Sequence, residues 1–259
     1  MTVPTAEDDG LDRRSLHERI AADLRDQILS GDLAPGVNLP STTQLKARFD
    51  ASSATIQKAL HLLKEEQLVV GRPGAAVTVR AKRQRTFRPA EFMRPVEAGQ
   101  SYSWLNSAAQ EGLRADSRLV EVSEVRPPAD VASGLRIGPE DKALLRSQVL
   151  SIEGEPVELV KCYYPLDIAR GTPMMLQRKV KGGTPKLLAD LGHPPRLTVD
   201  RVSARIPTQE EYGRLRLPTS LPVLRTLRVV YSDDDLVIEV TVMAKAGHLY
   251  ELQYEFTAD

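Results

Sequence analysis

The chain has 259 residues, of which 41% are hydrophobic and 27% charged, a balance that excludes a disordered polyelectrolyte and allows one large domain or two ordinary ones. Its formal net charge is zero, yet residues 11–90 hold 14 Lys/Arg against 8 Asp/Glu, a surplus of +6, while residues 91–259 hold 21 against 24. The one cysteine, Cys162, excludes an intramolecular disulfide scaffold, and with neither an apolar leader nor an apolar run of about 18 residues the chain is expected in a reducing cytoplasm, without a membrane span.

Residues 1–13 read as a loose tail. Ser15-Leu16-His17-Glu18 has the form of a capping box, and Leu16, Ile20, Leu24 and Ile28 follow at intervals of four, which predicts an amphipathic helix ending near Ser30. Two glycines and a proline in residues 31–36 are turn chemistry. Ser41 is then placed as an N-cap with Gln44 at N3, a second capping box that starts a helix at Thr42. Residues 49–52 interrupt it. Ile56, Ala59, Leu60 and Leu63 recur at i, i+3, i+4 and i+7 and predict the buried face of another helix. Its opposite face carries Ser53, Ala54, Gln57, Lys58 and His61, groups suited to a DNA groove. Residues 69–79 hold two β-branched runs around a Gly/Pro turn, a hairpin. Residues 14–80 thus read as a winged helix-turn-helix, mainly α with a β wing, and its basic surplus suits phosphate contacts. A basic linker is expected over residues 81–91.

From residue 92 to 259 the texture is α+β. A helix is expected over residues 101–110, a strand over 118–125 and a short helix over 127–135. Residues 143–152 and 156–164 are β-rich runs joined by Glu153-Gly154-Glu155, a hairpin. Residues 183–192 predict a short helix with Thr184 as cap and Pro185 at N1. A strand is expected over 196–206, and Thr208 with Glu211 forms a capping box for a helix ending by Pro218. Residues 222–231 and 236–245 make a second hairpin, and residues 249–256 a last strand. Hairpins with intervening short helices predict an antiparallel sheet with helices on one face.

The order helix, ILSGDLAPG, LPS, helix, SSATIQKALHLLKEEQLVV, wing resembles the winged-helix domain of GntR-type bacterial transcription regulators over residues 14–80. The resemblance implies DNA contacts from Ser41, Thr43, Lys46 and Arg48, from Ser52, Ser53, Thr55, Gln57 and Lys58 in the major groove, and from Arg72 and Gly74 in the wing. Where the family reads LPSER this chain has Thr43, and where it reads S-R-x-T-V-R this chain has Ser53 and Gln57. Gln67 and Ala76 stand where glycines are usual. Either the domain no longer binds DNA or it reads a different operator. The second is favoured, because Gln57 can pair bidentately with adenine and hydroxyls can serve either base type.

The segments SYSW, LLRSQVLSIEGEPVELVKCYYP, TPKLL and LPTSLPVLRTLRVVY with VIEV resemble the UTRA ligand-binding domain of the HutC-type branch, whose fold is similar to chorismate lyase. This implies effector contacts at Ser101, Arg146 and Glu239, with Gln148 in place of the second arginine of sugar-phosphate-binding members; Tyr163 and Thr184 complete the candidate set. One guanidinium is a poorer cradle for a dianion than two, so a neutral or singly charged effector is expected.

The expected function is a homodimeric repressor, dimerised through the C-terminal domain, that binds a pseudo-palindromic double-stranded DNA operator. A small-molecule effector would release it by reorienting the DNA-binding domains about residues 80–92. No metal, cofactor or catalytic residue is expected: the histidines are scattered, neither a P-loop nor a dinucleotide fingerprint occurs, and Cys162 reads as a strand-core thiol. The alternatives are a chorismate-lyase-like enzyme fused to a DNA-binding domain and an interaction module that has lost DNA binding.

Overall fold

Capped helices build the first half of the chain. In the computed structural model, which describes residues 12–71, 76–81, 85–88, 103–218 and 221–255, both capping boxes form and start α1 (Leu16–Ser30) and α2 (Thr42–Phe49) where the spacing places them. Glu18 accepts from the Ser15 backbone N–H at 2.8 Å. Gln44 accepts from the Ser41 N–H at 2.8 Å, and Ser41 Oγ from the Gln44 N–H at 3.3 Å. α3 (Ser53–Glu65) buries Ile56, Ala59, Leu60 and Leu63 in one core with Ile20, Ala21 and Leu24 of α1 and Leu45 of α2. That apolar core is what orients the exposed faces of α2 and α3.

α3 ends in a Schellman turn, with the Leu68 N–H donating to the Leu63 carbonyl at 3.0 Å and Gln67 at φ 58. A left-handed position favours glycine. Here the Gln67 side chain recovers part of the cost by accepting from Arg80 Nη1 at 2.6 Å. The wing pairs β1 (Val69–Val70) with β2 (Thr78–Val79) antiparallel. A further extended segment, not foreseen, joins it: the Leu39 N–H donates to the Val77 carbonyl at 2.7 Å and the Val79 N–H to the Val37 carbonyl at 2.8 Å. Arg25 grips Glu66 with two nitrogens, Nε lying 2.7 Å from Oε2, and so ties α1 to the end of α3; the Glu66 side chain is only 8% exposed.

The chain divides into two compact units near residue 84. The second contains β3 (Arg85–Phe87), α4 (Ser103–Gln110), β4 (Ala115–Val125), α5 (Ala129–Leu135), β5 (Ala143–Ile152), β6 (Glu155–Pro165), α6 (Leu166–Ala169), α7 (Thr184–Asp190), β7 (Leu197–Arg205), α8 (Gln209–Leu215), β8 (Val223–Tyr231), β9 (Val237–Ala246) and β10 (Tyr250–Leu252). Six strands form one antiparallel sheet in the order β4-β5-β6-β9-β8-β7. Glu153 and Gly154, both at positive φ, make the two-residue turn between β5 and β6, the geometry that matches strand twist.

Four expectations need correction. Helices cover both faces of the sheet, not one: Val131 and Leu135 of α5 pack with Leu145, Tyr163, Val229 and Val240, while Ile168, Met174 and Leu188 pack with Leu144, Tyr164, Val230 and Ile238. The central strands are apolar on consecutive residues, which is the pattern of a sheet buried on both sides. Gly134 allows α5 its close approach, since a Cβ there would lie 3.1 Å from Val240. The basic stretch taken as linker contains β3, which pairs in parallel with β10, and β10 spans three residues of the longer strand expected; runs of three residues carry no readable period. β4 begins at Ala115, not residue 118, because Ala115, Asp116 and Ser117 continue the ladder with β5. Finally, Gly183 and not Thr184 caps α7.

Among the described residues no helix is long and apolar enough to cross a membrane. Removing the Glu66 carboxylate strands a half-buried guanidinium and unties α1 from α3. Glu66→Ala is expected to destabilise the N-terminal unit by about 2 kcal/mol, read as a lowered urea midpoint of the full-length protein.

Candidate nucleic-acid interface and effector cavity

The surface of α3 opposite its apolar face presents Ser53, Gln57, Lys58 and His61 to solvent. Gln57 Nε2 lies 3.4 Å from Thr42 Oγ1, so the amide also bridges the two helices of the helix-turn-helix. Thr43 and Lys46 are exposed on α2. These exposed side chains are polar, and Lys46 and Lys58 among them are cationic. The other candidates divide by the bonds they make. Ser52 caps α3, accepting from the Thr55 N–H at 3.2 Å with its Oγ 2.9 Å from Thr55 Oγ1, and Ser41 caps α2. Two of the predicted hydroxyls thus cap helix N-termini and the third, on Thr55, bonds to one of them. Arg48 turns toward α1, donating to Gln27 Oε1 at 3.2 Å, with its guanidinium 4.8 Å from the Phe49 ring centre. Arg72 and Gly74 lie outside the described residues.

In the second unit a cavity of about 240 Å³ opens on the sheet face that carries α7. Arg146 and Gln148 of β5, Cys162 and Tyr164 of β6, Ser117 of β4 and Thr184 of α7 line it. Leu105 and Leu119 form apolar walls, and Lys179, Val180, Gly182 and Gly183 close it from the loop before α7. Of the predicted effector contacts, Arg146, Gln148 and Thr184 are brought together. Ser101 lies outside the described residues. Tyr163 is a correction: its ring packs on the opposite face with α5, and Tyr164 takes the place in the cavity, donating its hydroxyl to Thr184 Oγ1 at 2.9 Å.

The reason is a β-bulge. Ser151 pairs with Pro156 but Leu150 pairs with Glu158, so Val157 is an extra residue. A ladder continued straight from the turn would set Arg146 opposite Lys161 and put Tyr163 on its face; the bulge sets it opposite Cys162 and exchanges the two tyrosines. Glu239 also departs from expectation. It sits one strand further along, not in the cavity lining, and accepts from Thr241 Oγ1. Ser117, Tyr164 and Lys179 are lining residues that sequence reasoning missed. Only the register, once known, would have flagged Tyr164.

This face of the sheet carries a largely buried polar layer. One row crosses five strands: Arg146 faces Cys162, Cys162 faces Thr241, Thr241 faces Arg228 and Arg228 faces Asp200. Arg228 and Asp200 form a bidentate pair at 2.7 Å for both bonds. Burial, with Glu239 nearby, pushes the Cys162 thiol up to about 12, which leaves it protonated and a poor nucleophile. Burial likewise raises the Glu239 carboxyl above its ordinary value, although the Thr241 hydroxyl donates to it. A carboxyl raised in the folded state adds stability below its unfolded pKa and loses it as pH rises through the folded value. Glu239→Gln, which cannot ionise, is therefore expected to gain stability relative to wild type at pH 8 and to lose that advantage toward pH 4.5, measured by urea midpoints.

Known proteins share both units. The family described as bacterial regulatory proteins, gntR family, matches residues 16–79, and the UTRA domain family matches residues 110–251. An uncharacterized HTH-type transcriptional regulator of Streptomyces coelicolor is 25% identical over 94% of this chain and 91% of its own length. The mannosyl-D-glycerate transport/metabolism system repressor of Escherichia coli K12 is 23% identical over 87% of this chain and 89% of its own. The crystal structure of PhnF from Mycobacterium smegmatis superposes with a TM-score of 0.57, at 22% identity, covering 93% of this chain and 100% of that one, which shows a common fold. The chain therefore belongs to the UTRA domain family over its second unit, carries a helix-turn-helix that matches the gntR family in its first, and is a DNA-binding transcriptional regulator.

Proposed function

We propose that this regulator is a cytoplasmic repressor of the HutC-type branch, acting as a homodimer joined through its C-terminal unit on a pseudo-palindromic operator and released by a small-molecule effector. The observation that carries the reading is the pairing, in one chain, of an exposed polar face on α3 with a cavity that holds a buried arginine in a separate unit. A helix-turn-helix of this form reads one half-site per protomer, and a second site on the same chain provides the coupling that ligand control needs. The repressor role is supported by the E. coli relative, which is a repressor. The effector is taken to be neutral or singly charged and to occupy the Arg146 cavity, with Gln148, Tyr164 and Thr184 beside it. The C-terminal fold is taken to be similar to chorismate lyase, and binding rather than turnover is its task.

In base recognition Gln57 is assigned adenine contact, Ser53 and Thr43 the flanking hydroxyl contacts, and Lys46 and Lys58 the phosphates. Ser41, Ser52, Thr55 and Arg48 stand at the helix ends and edge of this surface, and Arg72 and Gly74 are assigned to the minor groove. A gel shift on the promoter region of the protein's own gene at low salt tests the reading, and absence of a complex there would refute it. Gln57→Ala is expected to cost about 1–3 kcal/mol of operator binding and to relax preference at one base position, whereas Lys58→Ala should weaken all sequences alike and reduce the salt slope by about 1. Titrations at several salt concentrations on operator and scrambled duplexes separate the two effects.

A further inference from the structure

The cavity's charge is largely committed before any ligand arrives. Arg146 Nη1 donates to the carbonyls of Met174 and Leu176, the latter at 3.1 Å, and Nη2 to that of Arg178 at 2.7 Å. The guanidinium thus braces the loop that leads into the cavity wall, and three carbonyl dipoles balance part of its charge. The other lining cation, Lys179, has a side chain 60% exposed and stands 3.6 Å from Asp116. A phosphate dianion would bring two charges to a floor that offers less than one, and buried charge without compensation is costly. A cation fares no better, because no Asp or Glu is among the described residues that line the cavity.

Oriented donors are what the cavity does offer. Ser117, buried on β4, donates its hydroxyl to Gln148 Oε1 at 2.7 Å. This occupies the amide oxygen and leaves the Nε2 hydrogens, a pair of donors on a residue that lines the cavity, as what Gln148 offers a ligand. Thr184 Oγ1 already accepts from Tyr164 at 2.9 Å, so its own proton is available to donate. The volume of about 240 Å³ suits a small molecule.

We propose that the effector is a small organic acid that presents a single carboxylate to Gln148 and Arg146, and that Ser117 is the positioning residue that aims the Gln148 amide. The proposal rests on the reading of this cavity as the effector site. It is tested on the full-length protein by thermal shift with millimolar lactate, glycerate, 3-hydroxybutyrate and benzoate, against glycerol 3-phosphate, glucose 6-phosphate and inorganic phosphate. At least one carboxylate is expected to raise the melting temperature and the phosphates to leave it unchanged. Gln148→Glu should abolish the carboxylate shift by like-charge repulsion. Ser117→Ala should weaken binding about tenfold, with Ser117→Thr, which keeps the hydroxyl, restoring it. Gln148→Arg, which sets a second guanidinium beside Arg146, should gain a shift with glucose 6-phosphate. A shift from phosphates alone that is lost in Gln148→Glu overturns the carboxylate class and keeps the cavity. A carboxylate shift unaltered in Gln148→Glu overturns the cavity as the site, and no shift with any of the seven compounds overturns both.

Discussion

Val157 is inserted between two residues of β6 whose partners on β5 are consecutive, and the chemistry of the C-terminal unit depends on that insertion. Strand side chains alternate, so one extra residue exchanges the faces of everything beyond it. It brings Cys162 and Tyr164 to the side of Arg146, and sends Tyr163 into the apolar layer under α5. The polar row from Arg146 to Asp200, the Tyr164 bond to Thr184 and the lining of the cavity all follow from this register. A ladder without the bulge would bury Lys161 beside Arg146 and leave two like charges on the cavity floor.

The same unit keeps other charges in its interior, each with a defined partner. Lys245, with a side chain 0% exposed, donates to Glu158 at 2.7 Å, and its ammonium lies 4.5 Å from the centre of the Phe87 ring. Such pairs add little net stability compared with apolar side chains of the same volume, but removing one partner strands the other. Their effect is on specificity of arrangement. Phe87 belongs to β3, so the cation fixes where the chain enters the second unit, together with the parallel pairing to β10 and the ion pair of Arg85 with Glu111 at 2.8 Å.

In the N-terminal unit the comparable economy concerns hydroxyls. Ser41 and Ser52 each cap a helix, and Thr55 bonds to Ser52, while the shared apolar core holds α2 and α3 with Gln57, Ser53 and Lys58 facing outward. The exposed face is therefore an amide, short hydroxyls and lysines over an apolar core, the set of groups on which the proposed preference for adenine and phosphate rests. Gln67 shows that the turn after α3 keeps a left-handed geometry even without glycine, because the Schellman bond and the Arg80 contact hold it there.

Local chemistry determined much of this protein from the sequence alone. All three capping boxes, the i, i+3, i+4, i+7 face of α3, the Glu153-Gly154 turn and the β8–β9 hairpin were legible because each is a contract among residues a few positions apart. Arg146, Gln148 and Thr184 were placed by a family resemblance, and the cavity joins them. What only the tertiary structure decided is longer-ranged. The bulge that exchanges Tyr163 for Tyr164, the helices on both sheet faces, β3 inside a basic stretch, and the commitment of Arg146 to the carbonyls of Met174, Leu176 and Arg178 all depend on partners distant in sequence. Hydrophobic period reports which side of an element is apolar; it does not report which distant strand or loop will meet that side, and in this protein those meetings set the cavity.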